Sequence, residues 1–317
     1  MTKLTGAVSV AVAAAVLIAV SSVVLTKQDA AAGTHKSFYS YSGATGNIEP
    51  VADSPPVTPR LLEHGRWVFR GLCIGCHGAK GDGNGAVWEL GDKYAKAHKL
   101  PRKPRDFTSA VFKIRSTPSG SLPTDKDLFR AMSRGLVADQ DMPAFKYLPE
   151  RDRWAVIAYI KTLSNRWEEE AKYQEPPVEV GEPPLPDQAM LDAGKLVYEE
   201  MKCAKCHGPT GKGDGPSAPE LTDDNGLSIK PRDFSDPGQF VGSNEPRGIY
   251  QTFTTGLDGT PMPTFADFLP EDKRWQLVWY VMSLRPGFDV EKVRGEMQAH
   301  AKVAEAASDS AKHDAGK

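Results

Sequence analysis

Cys73-Ile74-Gly75-Cys76-His77 and, 130 positions later, Cys203-Ala204-Lys205-Cys206-His207 use all four cysteines of the 317-residue chain. Two thiols one helical turn apart and an adjoining imidazole match the attachment signal for haem c. The thiols form thioethers to the porphyrin vinyls and the histidine ligates the iron axially. A zinc ribbon would instead bring two C-x-x-C pairs together from loops roughly 15 to 20 residues apart. A redox dithiol would sit in a βαβ pattern. Here the pairs lie far apart, each carries its own histidine, and no such pattern surrounds either.

Outward from these motifs the chain repeats itself. LEHGRWVFRGLCIGCHGAKGDGNG, from Leu62, is echoed by LDAGKLVYEEMKCAKCHGPTGKGDG, from Leu191. KPRDF recurs at 103–107 and 230–234, and DMPAFKYLPERDRWAVIAYIKTL, from Asp141, is echoed by PMPTFADFLPEDKRWQLVWYVMSL, from Pro261. The offset falls from 130 at the cysteines through 127 at KPRDF to 121 from Leu148/Leu269, as a tandem duplication with a shorter loop in the second copy requires. Each copy reads as opening helix, C-x-x-C-H, Gly-rich loop, irregular middle, methionine loop and closing helix. The closing helices start at Leu-Pro-Glu, with Pro149 and Pro270 suited to a first helical turn. Val156, Tyr159, Ile160 and Leu163 recur at helical spacing, as do Leu277, Tyr280, Val281 and Leu284. No strand pattern competes, so the predicted fold class is mostly α, with two tandem domains preceded by a single N-terminal apolar helix.

Composition leaves room for about two domains, with 40% hydrophobic and 25% charged residues and a net charge of -2. No basic stripe interleaved with aromatics points to nucleic acid. Residues 6–25 form an uncharged apolar run long enough to cross a bilayer's hydrocarbon core, about 30 Å, and so read as a retained anchor; a cleaved signal peptide is the alternative. The expected organisation is a signal-anchor at 1–27, a flexible tether at 28–59, a first domain at 60–165, a stiff Pro/Glu-rich linker at 166–187, a second domain at 188–287 and a polar tail at 288–317, either frayed helix or disorder. The copies differ in charge. Residues 61–165 hold 18 Lys+Arg against 11 Asp+Glu, whereas residues 190–285 hold 10 against 14.

With these motifs in hand, both halves resemble class I c-type cytochrome domains, and the whole resembles a membrane-anchored dihaem cytochrome c. The resemblance implies two covalently bound haem c groups, on Cys73, Cys76 and His77 and on Cys203, Cys206 and His207. It makes His77 and His207 the proximal iron ligands, and Met142 and Met262, each followed by proline ahead of the closing helix, the distal ones. A thioether is a soft ligand that favours ferrous iron and raises the potential. The resemblance also pairs Gly65 and Phe69 with Tyr159, and Gly194 and Tyr198 with Tyr280, across the first and last helices. Family members often carry a proline after the haem motif whose surroundings accept the proximal imidazole N–H. Pro216 or Pro219 would serve in the second copy, and the first has no proline between His77 and Pro101.

Other candidates have plainer readings. Met132 and Met282 fall on helices as core residues. His64 reads as a rim histidine, and His98 as part of a basic face whose alternative is to displace Met142 as a ligand. Arg105 and Arg232, in the repeated Arg-Asp-Phe, either fork onto haem propionates or mark a repeated turn. The Gly-rich segments lack phosphate-loop spacing and read as tight turns.

With both axial positions filled, neither iron has a seat for a reactant. The expected function is passage of single electrons between redox protein partners, as the periplasmic electron-transfer subunit of a respiratory complex, with no nucleic acid and no small-molecule substrate. A dihaem peroxidase-type enzyme with one open haem site is the alternative. The expected location is the periplasmic side of a bacterial inner membrane, held there by the N-terminal helix, or the soluble periplasm after cleavage.

Overall fold

A computed structural model of the chain describes residues 53–88, 103–136, 142–173, 175–240 and 243–315. The apolar run at 6–25, most of the tether and His98 lie outside the described residues. In the first copy, α1 (Pro59–Leu72) leads into a single turn, α2 (Ile74–His77), followed by α3 (Asp125–Arg134) and α4 (Glu150–Lys161). A short α5 (Arg166–Glu169) opens the connector. The second copy repeats the plan with α6 (Gln188–Glu200), α7 (Ala204–His207), α8 (Pro246–Thr255) and α9 (Glu271–Ser283), and α10 (Val290–Ala315) ends the chain. Among the described residues there is no strand, only the isolated bridges Leu136 to Met142 and Thr222 to Ser228. None of their helices is long and apolar enough to cross a membrane.

The opening helices begin where their caps dictate. The Thr58 hydroxyl accepts from Leu61 N at 3.1 Å, and the Asp187 carboxylate accepts from Met190 N at 2.8 Å, each relieving a backbone donor that the helix cannot satisfy. Pro149 and Pro270 stand just ahead of the closing helices as N-caps, with Glu150, Asp152, Glu271 and Asp272 in the first turns. Acids there complement the positive end of the helix dipole.

Each copy is built on the crossing of its opening and closing helices, α1 on α4 and α6 on α9. Gly65 and Gly194 make the close approach possible: a methyl on Gly65 would overlap the Ala155 carbonyl oxygen, and one on Gly194 the Gln276 carbonyl oxygen. Beside each glycine an aromatic pair closes the crossing, Phe69 with Tyr159 at 5.3 Å and Tyr198 with Tyr280 at 5.2 Å between ring centroids. The closing helices bury more than the expected stripe. Trp154, Ala155, Val156, Ile157, Ala158 and Ile160 are buried on α4, and Trp275, Leu277 to Met282 on α9. Both faces are covered, so the apolar period broadens into a nearly continuous run. Met132 and Met282 are core residues, 8% and 0% exposed.

The connector is less solvated than its prolines and acids suggest. Trp167 packs on the first core, and Arg166 donates to the carbonyls of Ala110 and Gly120 at 3.0 Å each. Beyond α5 the extended chain is pinned to both copies, by Val178 N to the Ser116 carbonyl at 2.7 Å and by the Trp279 indole N–H to the Pro184 carbonyl at 3.1 Å. The tail continues as α10, whose Val293 and Met297 are buried.

The longer middle loop of the first copy joins the two copies. The Arg115 guanidinium, with no exposed side-chain surface, donates to the Thr255 carbonyl at 2.8 Å and pairs with Asp258 at 2.8 Å. Asp258 also accepts from Ser119 Oγ at 3.0 Å and Gly120 N at 2.9 Å, and Gln251 Nε2 donates to the Arg115 carbonyl at 2.8 Å. The segment over which the repeat offset shrinks is therefore the one that clasps the other copy.

Candidate functional site

Both C-x-x-C-H segments fold alike. The opening helix ends just before the first cysteine, and a one-turn helix carries the second cysteine and the histidine. The second copy has one more residue before its first cysteine, absorbed at Lys202, whose φ of 59° is left-handed. The four thiols are unbridged. Burial pushes the Cys73 and Cys203 thiols up to about 11. A redox dithiol needs the opposite, a thiol acidified towards neutrality. Among the described residues no three or more His, Cys, Asp or Glu side chains gather as a metal site, which also removes the zinc reading there.

The Gly-rich loop then turns back on the one-turn helix. Gly83 N donates to the His77 carbonyl and Gly213 N to the His207 carbonyl, each at 2.9 Å. Gly83 and Gly213 have φ of 76° and 72°, and a methyl on either would run into the carbonyl of Pro104 or Pro231. The same loop fixes the KPRDF segment, because Phe107 N donates to the Gly81 carbonyl and Phe234 N to the Gly211 carbonyl, each at 2.7 Å. These are the tight turns expected from the sequence.

That contact delivers a clamp for the imidazole. His77 Nδ1 donates to the Arg105 carbonyl at 2.9 Å, and His207 Nδ1 to the Arg232 carbonyl at 3.2 Å. A carbonyl only accepts, so Nδ1 carries the hydrogen and Nε2 keeps its lone pair for a metal. The ring of Phe107 stacks on His77 at 4.4 Å, and Phe234 on His207 at 4.3 Å. Burial lowers the pKa of both imidazoles, His207 to about 4, which keeps them neutral as an iron ligand must be. The acceptor for the imidazole N–H thus follows Pro104 and Pro231 rather than Pro216 or Pro219, and both copies have one. Asp106 and Asp233 shape the turn, accepting from Thr108 N and Ser235 N at 2.8 Å each. The repeat pointed to this segment, but the working atom is a main-chain oxygen, which no side-chain motif announces.

Across the core, the methionine loops are also matched. Leu136 N donates to the Met142 carbonyl at 2.9 Å and Leu257 N to the Met262 carbonyl at 3.1 Å. Gly135 and Gly256 turn these loops at φ of 73° and 67°. Met142 and Cys73 pack on one apolar core that includes Phe69, Phe107, Leu128 and Met132. Thiols, a neutral imidazole with a free Nε2 and a thioether set around an apolar core are the donors that a covalent haem needs. His64 is not among them: its Nε2 contacts Asp152 Oδ1 at 2.7 Å and its ring stacks on exposed Trp67 at 6.1 Å.

Comparisons with known proteins agree with this donor set. No curated protein matches the chain. Among solved structures, a chain of the reducing HAO-like protein complex of Kuenenia stuttgartiensis is 43% identical, with a TM-score of 0.65, over 74% of this chain and 100% of that one. The cytochrome c family profile matches twice, at residues 62–164 and 191–285, each match spanning one C-x-x-C-H segment, one KPRDF segment and one methionine loop. The chain therefore belongs to the cytochrome c family, whose domains carry covalently bound haem c, and contains that domain in tandem.

Proposed function

We propose that each copy holds one haem c and that the chain passes single electrons between redox proteins as a subunit of a larger complex. The observation that carries this reading is the imidazole clamp, formed twice from the same residues beside two unbridged thiols. Cys73 and Cys76, and Cys203 and Cys206, would hold the porphyrin; His77 and His207 would supply Nε2 to the iron, and Met142 and Met262 sulfur. Arg105 and Arg232 would pair with the haem propionates, a planar fork matching a carboxylate. The bound group supplies a one-electron ferric/ferrous couple. The residues keep the proximal ring neutral and oriented, while the apolar core excludes water. Membership of a complex rests on the likeness to a chain of the Kuenenia stuttgartiensis assembly. The uncharged run at 6–25 anchors the chain on the periplasmic side of the membrane.

Haem quantification on the purified chain, with the near-infrared band of Met-ligated ferric haem, tests the reading. Two haems per chain, each losing that band separately in Met142→Ala and Met262→Ala, are expected. One haem per chain, or a high-spin ferric signal with peroxide turnover, overturns it in favour of a peroxidase-type enzyme.

A further inference from the structure

The two copies place a large aromatic in solvent at the same point. Tyr147 is 67% exposed and Phe268 69%, each directly before the Leu-Pro of a closing helix and a few residues past a methionine loop. Leu148 N donates to the Phe145 carbonyl at 3.0 Å and Leu269 N to the Phe265 carbonyl at 3.0 Å, so the backbone turns at the same point in each copy.

The charges around the matched aromatics are reversed. Counting back from Leu-Pro-Glu, Lys146 stands where the second copy has Asp267; beyond it, Arg151 stands where the second has Asp272. Counting from Gly65 and Gly194, Arg70 on the last turn of α1 stands where α6 has Glu199. All six side chains are exposed. Glu150 and Glu271 are acidic in both. The reverse exchange, Asp152 against Lys273, is spent within each copy, on His64 at 2.7 Å and on Glu200 at 3.6 Å. Those two pairs also show that the first turn of the closing helix lies beside the opening helix, which runs directly into the cysteines.

We infer that these faces dock two redox proteins of opposite surface charge: the Tyr147 face an acidic partner, the Phe268 face a lysine-ringed one. An apolar contact at the centre of a charged rim is how transient interfaces combine orientation with fast encounter. The inference rests on the proposed electron-carrier function. Each encounter moves one electron, lost by one protein and gained by the other.

Binding to two probes tests it on the full haem-loaded chain, by surface plasmon resonance at several salt concentrations. The probes are a small lysine-rich cytochrome c and an acidic flavodoxin. Asp267→Lys with Asp272→Lys is expected to weaken the lysine-rich probe at least tenfold and leave the flavodoxin within twofold, and Phe268→Ala to weaken the same probe only. Lys146→Glu with Arg151→Glu is expected to do the reverse. If either charge pair changes both probes alike, or neither probe responds, the docking assignment is wrong. Covalent haem staining of the same samples separates this from the functional reading, because binding needs no electron transfer and loss of haem would show independently.

Discussion

His77 is held by residue 105 through the main chain, its Nδ1 donating to the Arg105 carbonyl at 2.9 Å while Phe107, two residues on, stacks on the ring. The side chain at 105 takes no part in that bond. Arg105→Ala should therefore keep the proximal ligand in place and lose only the pairing of its own guanidinium, about 1–3 kcal/mol. Phe107→Ala removes a buried ring and its stack, and should cost about 3–5 kcal/mol. Chemical denaturation of both variants, with the visible spectrum as a monitor of the iron ligand, checks the contrast. An Arg105→Ala protein that loses its low-spin spectrum would show that the side chain, not the carbonyl, orients the histidine.

Two effects oppose each other in Gly65→Ala and Gly194→Ala. Alanine is favoured over glycine inside a helix by about 1 kcal/mol. The added methyl, however, meets a backbone carbonyl of the crossing helix, which no side-chain rotation relieves. Overpacking of a close contact costs about 3 kcal/mol, so the clash wins and both variants should lose about 2 kcal/mol. A melting temperature that rises in either variant would mean that the helices separate more easily than their packing implies.

How much of this the sequence discloses depends on which atoms act. The C-x-x-C-H segments and the core roles of Met132 and Met282 are legible because they depend on side-chain type at fixed spacing, and the Gly65 and Gly194 crossings because the chain resembles a known family. The imidazole acceptor is not, because Arg105 and Arg232 contribute a carbonyl oxygen that every residue possesses; only the repetition of KPRDF marks the place. The clasp is hidden for a different reason. Arg115 and Asp258 belong to the stretches that differ between the copies, so the repeat that organises the reading gives them no counterpart. The connector shows the limit of composition: its prolines deny it helix, but its carbonyls at 180, 184 and 186 still serve as acceptors for Arg247, Trp279 and Arg294.

The clasp predicts an asymmetry between its two partners. Arg115 has no exposed side-chain surface, whereas Asp258 is 16% exposed. Asp258→Ala strands a buried cation and should cost about 3–5 kcal/mol. Arg115→Met leaves a carboxylate that still accepts from Ser119 and Gly120 and reaches water, so its cost should be smaller. Denaturant titration of the two variants and the double variant gives the order directly. Equal losses, or a larger loss for Arg115→Met, would show that the guanidinium's bonds to the Thr255 carbonyl at 2.8 Å and, from Nε, to the Pro118 carbonyl at 3.1 Å outweigh the ion pair.

Glu245 precedes α8 as its N-cap but makes no side-chain cap hydrogen bond, and burial raises its pKa above the ordinary carboxylate value, a shift that nearby Arg285 only partly offsets. A raised acid binds its proton more tightly in the folded chain than in the unfolded one. Its penalty is therefore absent below the unfolded pKa, about 4.3, and grows as pH rises through the folded one. Glu245→Gln should be nearly neutral at pH 4 and stabilising at pH 7. Glu245→Ser should gain about 1 kcal/mol more at either pH by supplying the missing cap oxygen. Denaturation at the two pH values separates the contributions: a Glu245→Gln effect that is equal at both would mean that the carboxylate remains solvated, and the gain from serine would then be the whole of the effect.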